Sequence, residues 1–174
     1  MRKLAVIGSG TSGMLFAHRM MQAGFDVTVF SDRTAEQWLN ESAPTGTAYL
    51  YDCNIQYERD LGLEHWEDVT YHGGGVHMDW QPTAGAERIV ACGRFASDRG
   101  GAVDIRMRVH RWMKDFEARG GRIEYGAVSM EQLDRISQEF DLTVLAVGKG
   151  ELGGVIPRDP ERSVYDRPQR NLCM

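Results

Sequence analysis

Gly8, Gly10 and Gly13 follow the apolar run Leu4 to Ile7 with the spacing G-x-G-x-x-G, and Asp32 closes the next apolar run, Val27 to Phe30. These residue types, so spaced, suit the holding of a diphosphate and a ribose. Gly8 permits a tight turn, Gly10 lets a pyrophosphate approach the backbone, and Gly13 lets the following helix pack close to the strand. Thr11, Ser12 and Gly13 open that helix, where free N–H groups and the positive dipole end attract an anion. Asp32 is an acid at the tip of the second strand, placed to accept hydrogen bonds from a ribose diol. Strand, glycines, helix, second strand and acid stand in register, which a chance glycine-rich turn does not require. The segment reads as a dinucleotide-binding unit.

A second turn follows another apolar strand, Leu142 to Val147, and carries Gly148, Lys149 and Gly150. A glycine there lets the backbone return to the same ligand without side-chain collision; the bland alternative is an ordinary turn leaving a core strand. Arg106, in Asp104-Ile-Arg106 at the head of a later helix, can neutralise a diphosphate or form a surface ion pair. His18 falls inside the first helix and reads as structural. His65, His72, His77 and His110 lack metal-ligand spacing, and no nucleophile–base pair or paired carboxylates stand out, so no catalytic residue is assigned. The stretch Tyr71 to His77, with three glycines, suits a wall against a flat ring or a mobile hairpin tip.

The elements that must position these residues form an α/β pattern. Residues 11–24 have helical apolar spacing and end at Gly24, a C′ glycine. Short helices are expected at 34–41, with Thr34 and Gln37 as a capping box, and at 54–62. From Val69 to Phe95 the chain turns glycine-rich and aromatic, an antiparallel excursion rather than a second domain. A helix over 103–119 places Val109, Trp112, Met113 and Phe116 on one stripe. A strand from Ile123 to Tyr125, a helix over 130–139 with Met130, Leu133 and Ile136, and the buried strand Leu142 to Val147 complete the pattern. The fold class is a Rossmann-type α/β domain with a parallel central sheet, spanning 1–174 with 67–100 inserted.

Composition sets outer limits. A chain of 174 residues with net charge -5 and 42% hydrophobic residues suits one globular core and argues against a nucleic-acid surface. No apolar stretch is long enough to cross a membrane, and the N-terminus lacks the pattern of a signal peptide. Cys53, Cys92 and Cys173 fit free thiols in a reducing cytoplasm.

Taken together, the segments GSGTSG, DVTVFSDR, ERDLGLEHW, VDIR, FEARGGRIEYGAVS, FDLTVLAVGKGEL and YDRPQRNLCM resemble the FAD-binding part of the styrene and indole monooxygenases. The resemblance implies an FAD-using epoxidase of aromatic alkenes, with oxygen activated on flavin that a separate NADH-dependent reductase has reduced. It implies that Gly8, Gly10, Thr11, Ser12 and Gly13 form the pyrophosphate turn, that Asp32 and Arg33 hold the adenosine end, and that Val128 gives a backbone contact beside the adenine. It also implies that Gly148 forms the second turn and that Arg106 approaches the ribityl chain. Ala43 and Gly46 stand where styrene epoxidases carry Arg and Asn. The family's final strand with its Gly-Asp motif, and its substrate-covering sheet, are absent from these 174 residues. The chain is therefore expected to be a fragment or truncated product, inactive alone and self-associating through an unpaired edge; a complete minimal protein is the other reading. The alternatives in function are an NAD(P)-binding domain of a dehydrogenase and a non-catalytic nucleotide-binding module.

Overall fold

The computed structural model describes residues 1–44, 49–68, 70, 72–148, 151–157 and 159–165. The chain divides into two compact units, Met1–Gly46 with Ile105–Met174, and Thr47–Asp104.

The first unit is built on a parallel sheet of β1 (Lys3–Ile7), β2 (Asp26–Ser31), β5 (Arg122–Tyr125) and β6 (Leu142–Leu145), in the order β5-β2-β1-β6. Leu4 pairs in register with Val27 on one side and Leu142 on the other. The central strand β1 is apolar from Leu4 to Ile7, as a strand covered on both faces must be. Ala5 and Ile7 pack with Leu133, Ile136 and Leu152 beneath α5 (Met130–Glu139). Leu4 and Val6 point to the opposite face, against which α1 (Thr11–Gln22) packs, with α4 (Ile105–Ala118) beside α1. The expected stripe of α4, Val109, Trp112, Met113 and Phe116, is fully buried. Gly24 and Gly120 end α1 and α4 with φ of +87° and +86°, the left-handed conformation that glycine adopts without a Cβ clash. The capping box of Thr34 and Gln37 starts α2 (Ala35–Asn40), which Glu36 ties to α4 through Lys114 (2.6 Å) and His110 (3.2 Å).

Two expectations about burial need correction. β6 is not a buried strand: Leu142 and Leu145 are 50% and 37% exposed, because β6 is an edge of the described sheet rather than an inner strand. Met130 is 42% exposed, since α5 starts there and buries its stripe a turn later, at Leu133 and Ile136. The helix expected at 54–62 is α3 (Asp52–Asp60), starting two residues earlier.

His18 is structural, as expected. Its Nε2–H donates to the Trp112 carbonyl (2.9 Å), Nδ1 accepts from Arg119 (3.3 Å), and its ring meets Phe116 edge-on. A carbonyl only accepts and a guanidinium only donates, so the neutral tautomer is defined. Burial holds the His18 pKa below 6.5, and the Arg119 charge adds to this, while the Trp112 bond and Asp115 oppose it. The unfolded chain therefore takes up a proton near pH 6.5 before the folded one does. Stability should be insensitive to this group above that value and fall as pH drops through and below it. Thermal melts between about pH 5 and pH 8 should show His18→Gln losing this dependence. An unchanged acid-side slope in the variant would refute the assignment.

In the second unit, β3 (Gly75–Trp80) and β4 (Ile89–Arg94) form an antiparallel hairpin, with Gly75 opposite Arg94 and Trp80 opposite Ile89. The glycines at 73–75 are thus not a hairpin tip. They lead into β3 at the end away from the 81–88 turn, and a Cβ at Gly73 would press on the Tyr49 ring at 3.2 Å; Tyr71 lies outside the described residues. Tyr49 stacks on Phe95, and Leu50 bridges Gly101 through two backbone bonds. Both ring nitrogens of His72 face carbonyls, of Gly100 and Glu67, which raises its pKa by favouring the doubly protonated ring. Among the described residues no helix is long and apolar enough to cross a membrane.

Candidate nucleotide-binding site

The order β5-β2-β1-β6 means that the chain builds outward from β1 through β2 to β5 and then crosses back to place β6 on the other side of β1. The direction of winding reverses between β1 and β6, and ligands of open α/β sheets bind at such a point, outside the carboxyl ends of the strands. Gly8 follows β1 there, and Gly148 follows β6 after Ala146, whose N–H donates to the Ile7 carbonyl (2.8 Å).

The three glycines of the first turn have different surroundings. Gly8 has φ of +110°, and a Cβ on it would lie 2.6 Å from the Ala146 carbonyl oxygen. A Cβ on Gly13 would overlap the Gly8 carbonyl oxygen and approach Ala146 Cβ at 3.2 Å. These two glycines are required by the close approach of helix, turn and neighbouring strand. Among the described residues, a Cβ at Gly10 would meet nothing within 4 Å, and the same holds at Gly148. Gly10 is also the N-cap of α1, without a side-chain cap and without an acid in the first helical turn. The first intrahelical bond runs from Met14 N–H to the Gly10 carbonyl, so the N–H groups of Thr11, Ser12 and Gly13 have no acceptor within the helix. Open space, unopposed helix dipole and glycine backbone fit a diphosphate.

At the tip of β2, Asp32 is paired with Arg33 at 3.2 Å. Arg33 also donates from Nη1 to Ser42 Oγ (2.9 Å) and lies over the Trp38 ring, 4.6 Å from its centroid. Behind it, Ser9 Oγ and Ser31 Oγ are 2.6 Å apart and buried, and Trp38 Nε1–H donates to Ser9 Oγ at 2.9 Å. Ser9, Ser31, Trp38 and Ser42 were not singled out in the sequence. A signal was available in Ser31, a serine closing an apolar strand, which is fully buried.

Val128 packs its side chain against the Ala5, Ile7 and Leu133 cluster. Arg106 sits half-buried in the first turn of α4, and Ala43 is exposed beyond α2; Gly46 lies outside the described residues. A groove of about 460 Å³ between α5 and the β2–β5 edge is lined by Phe30, Tyr125, Val128 and Ile136. Among the described residues, neither Gly8, Gly10 and Gly13 nor Gly148 lines it.

Fold and turn together define a dinucleotide-binding domain of the Rossmann type. No family model matches the chain. A styrene monooxygenase of Pseudomonas fluorescens is 31% identical over 178 residues, covering 99% of this chain and 40% of that protein. A styrene monooxygenase of a Pseudomonas species is likewise 31% identical, over 176 residues. The chain is thus similar over nearly its whole length to styrene monooxygenases, and it spans about 40% of the length of these relatives. Among solved structures, the flavin-dependent halogenase CmlS superposes with a TM-score of 0.58 at 18% identity, over 72% of this chain and 23% of that one. The enzyme 2-methyl-3-hydroxypyridine-5-carboxylic acid oxygenase gives 0.54 at 17% identity, over 72% and 32%. At such identities these structures speak for the fold.

Proposed function

We propose that the chain is the FAD-binding part of a flavin-dependent monooxygenase that epoxidises an aromatic alkene of the styrene or indole kind, using O2 and flavin reduced by a separate NADH-dependent reductase. The observation that carries this reading is the pair of open glycine turns, Gly10 and Gly148, which follow adjacent strands on either side of the switch point. The 99% coverage of the chain by named styrene monooxygenases supports the chemistry.

In this reading the N–H groups of Thr11, Ser12 and Gly13 receive the diphosphate, and Asp32 accepts hydrogen bonds from the adenosine ribose. Arg33 and the Val128 backbone serve the adenosine end, Gly148 leaves room for the ligand backbone, and Arg106 serves the ribityl chain. Bound FAD supplies the oxygen-activating chemistry. This chain's residues bind and orient.

Oxidised FAD should bind more tightly than NADPH, and ADP should retain measurable affinity because much of this site addresses the ADP moiety. FMN, which lacks the adenosine, should bind more weakly than FAD by at least about tenfold, the worth of one to two charge-assisted hydrogen bonds. Calorimetric titration with FAD, FMN, ADP and NADPH tests this. Equal affinity for FMN and FAD would overturn it.

A further inference from the structure

The hydroxyls beneath Arg33 form a chain whose direction is forced. Ser31 O–H donates to the Arg33 carbonyl at 2.5 Å, so the 2.6 Å bond to Ser9 takes its proton from Ser9. Ser9 in turn accepts from Trp38 Nε1–H at 2.9 Å. An indole N–H only donates and each hydroxyl has one proton, so the order Trp38 to Ser9 to Ser31 to Arg33 admits no reversal. Trp38 is thereby pinned to the glycine turn through Ser9, and its ring carries the guanidinium of Arg33 at 4.6 Å.

That guanidinium is engaged on every nitrogen. Nε and Nη2 face the Asp32 carboxylate at 3.3 and 3.2 Å, and Nη1 donates to Ser42 Oγ at 2.9 Å. An arginine beside the ribose acid has two possible uses. Left free, it can pair with a 2′-phosphate; held on the acid and on a ring, its charge is compensated and its fork is occupied. The Asp32 carboxylate then faces any 2′-phosphate as a like charge.

We propose that Trp38 is a specificity-determining residue of the nucleotide site: its ring, with Ser42, holds Arg33 on Asp32, and the site thereby selects an adenosine ribose with a free 2′-hydroxyl over one bearing a 2′-phosphate. This rests on the reading of Asp32 as the ribose acid. Trp38 acts through Arg33 as a positioning residue and need not touch the ligand.

The test is the ratio of affinities for ADP and for its 2′-phosphorylated counterpart, measured by calorimetry on the whole chain. Wild type should prefer ADP. Trp38→Ala should shift the ratio toward the 2′-phosphorylated form by about tenfold, the worth of a charge-assisted hydrogen bond made by the released guanidinium. Trp38→Phe keeps the ring but not the N–H, and should weaken both ligands with little change in their ratio. Adding Arg33→Gln to Trp38→Ala should restore the preference. Should Trp38→Ala fail to fold, Ser42→Ala frees Nη1 alone and should move the ratio in the same direction. A ratio unchanged in Trp38→Ala, or in Ser42→Ala if that is the variant that folds, would overturn the proposal and leave Trp38 a structural residue. Wild type binding neither ligand would instead overturn the nucleotide-site reading beneath it.

Discussion

Gly10→Val is expected to weaken FAD and ADP binding by more than about a hundredfold, a loss near 3 kcal/mol, while the protein keeps its fold. The valine Cβ meets no atom of the described residues within 4 Å, so the branched side chain stands in the volume assigned to the diphosphate. The backbone tolerates it: Gly10 has φ of -62° and ψ of 176°, an extended conformation that β-branched residues favour. Replacing a glycine N-cap with valine weakens the cap by about 1 kcal/mol, far less than the expected loss in affinity. Circular dichroism and a thermal melt should therefore show a small shift, and calorimetry a lost ligand. Normal binding by the variant would mean that the open space at Gly10 is not the ligand's.

The parts of this arrangement that obey a local rule could be read in advance. The strand β1, the glycines and α1 follow from an apolar run and a spacing whose steric demands are fixed, and the Thr34–Gln37 capping box is a four-residue pattern. The same pattern at Ser129 and Gln132 caps α5 and was available to be read. Exposure is another matter. Leu142 is apolar whether its strand is inner or edge, and only the sheet order decides which; Met130 likewise looks like part of a stripe until the helix start is known. The Trp38–Ser9–Ser31 chain could not be read, because it joins residues 29 and 22 positions apart through hydroxyls that carry no periodic signal. Arg33 was placed at the adenosine end by resemblance, but what restrains it depends on where α2 sets Trp38.

Of alanine substitutions at Gly10, Gly13 and Gly24, Gly13→Ala should be the most destabilising, although helix propensity alone predicts the opposite. In an exposed helix interior, glycine to alanine gains about 1 kcal/mol. Here the new Cβ would overlap the Gly8 carbonyl oxygen, lie 3.1 Å from the Gly8 carbonyl carbon and press on Ala146 Cβ at 3.2 Å. None of these atoms belongs to a flexible side chain. The Gly8 N–H is bonded to the Phe30 carbonyl at 2.9 Å and the Ala146 N–H to the Ile7 carbonyl at 2.8 Å, so the turn and β6 are both anchored to the sheet. Relief requires α1 to lift from β1, which uncovers Met14 and Ala17, both fully buried. Overpacking of this kind costs about 3 kcal/mol, enough to outweigh the propensity gain and leave a net loss near 2 kcal/mol, or a fall in Tm of about 4–8 °C for a chain of this size. Gly24→Ala is the control for backbone strain without a clash: φ there is +87° with no described residue within 4 Å, so its loss should be about 1 kcal/mol, the cost of a left-handed conformation for an L-residue. Gly10→Ala should cost less still. Thermal melts of the three variants test the ranking. Gly13→Ala as stable as wild type would show that helix and turn separate at little cost, and the close packing assigned to Gly13 would have no energetic meaning.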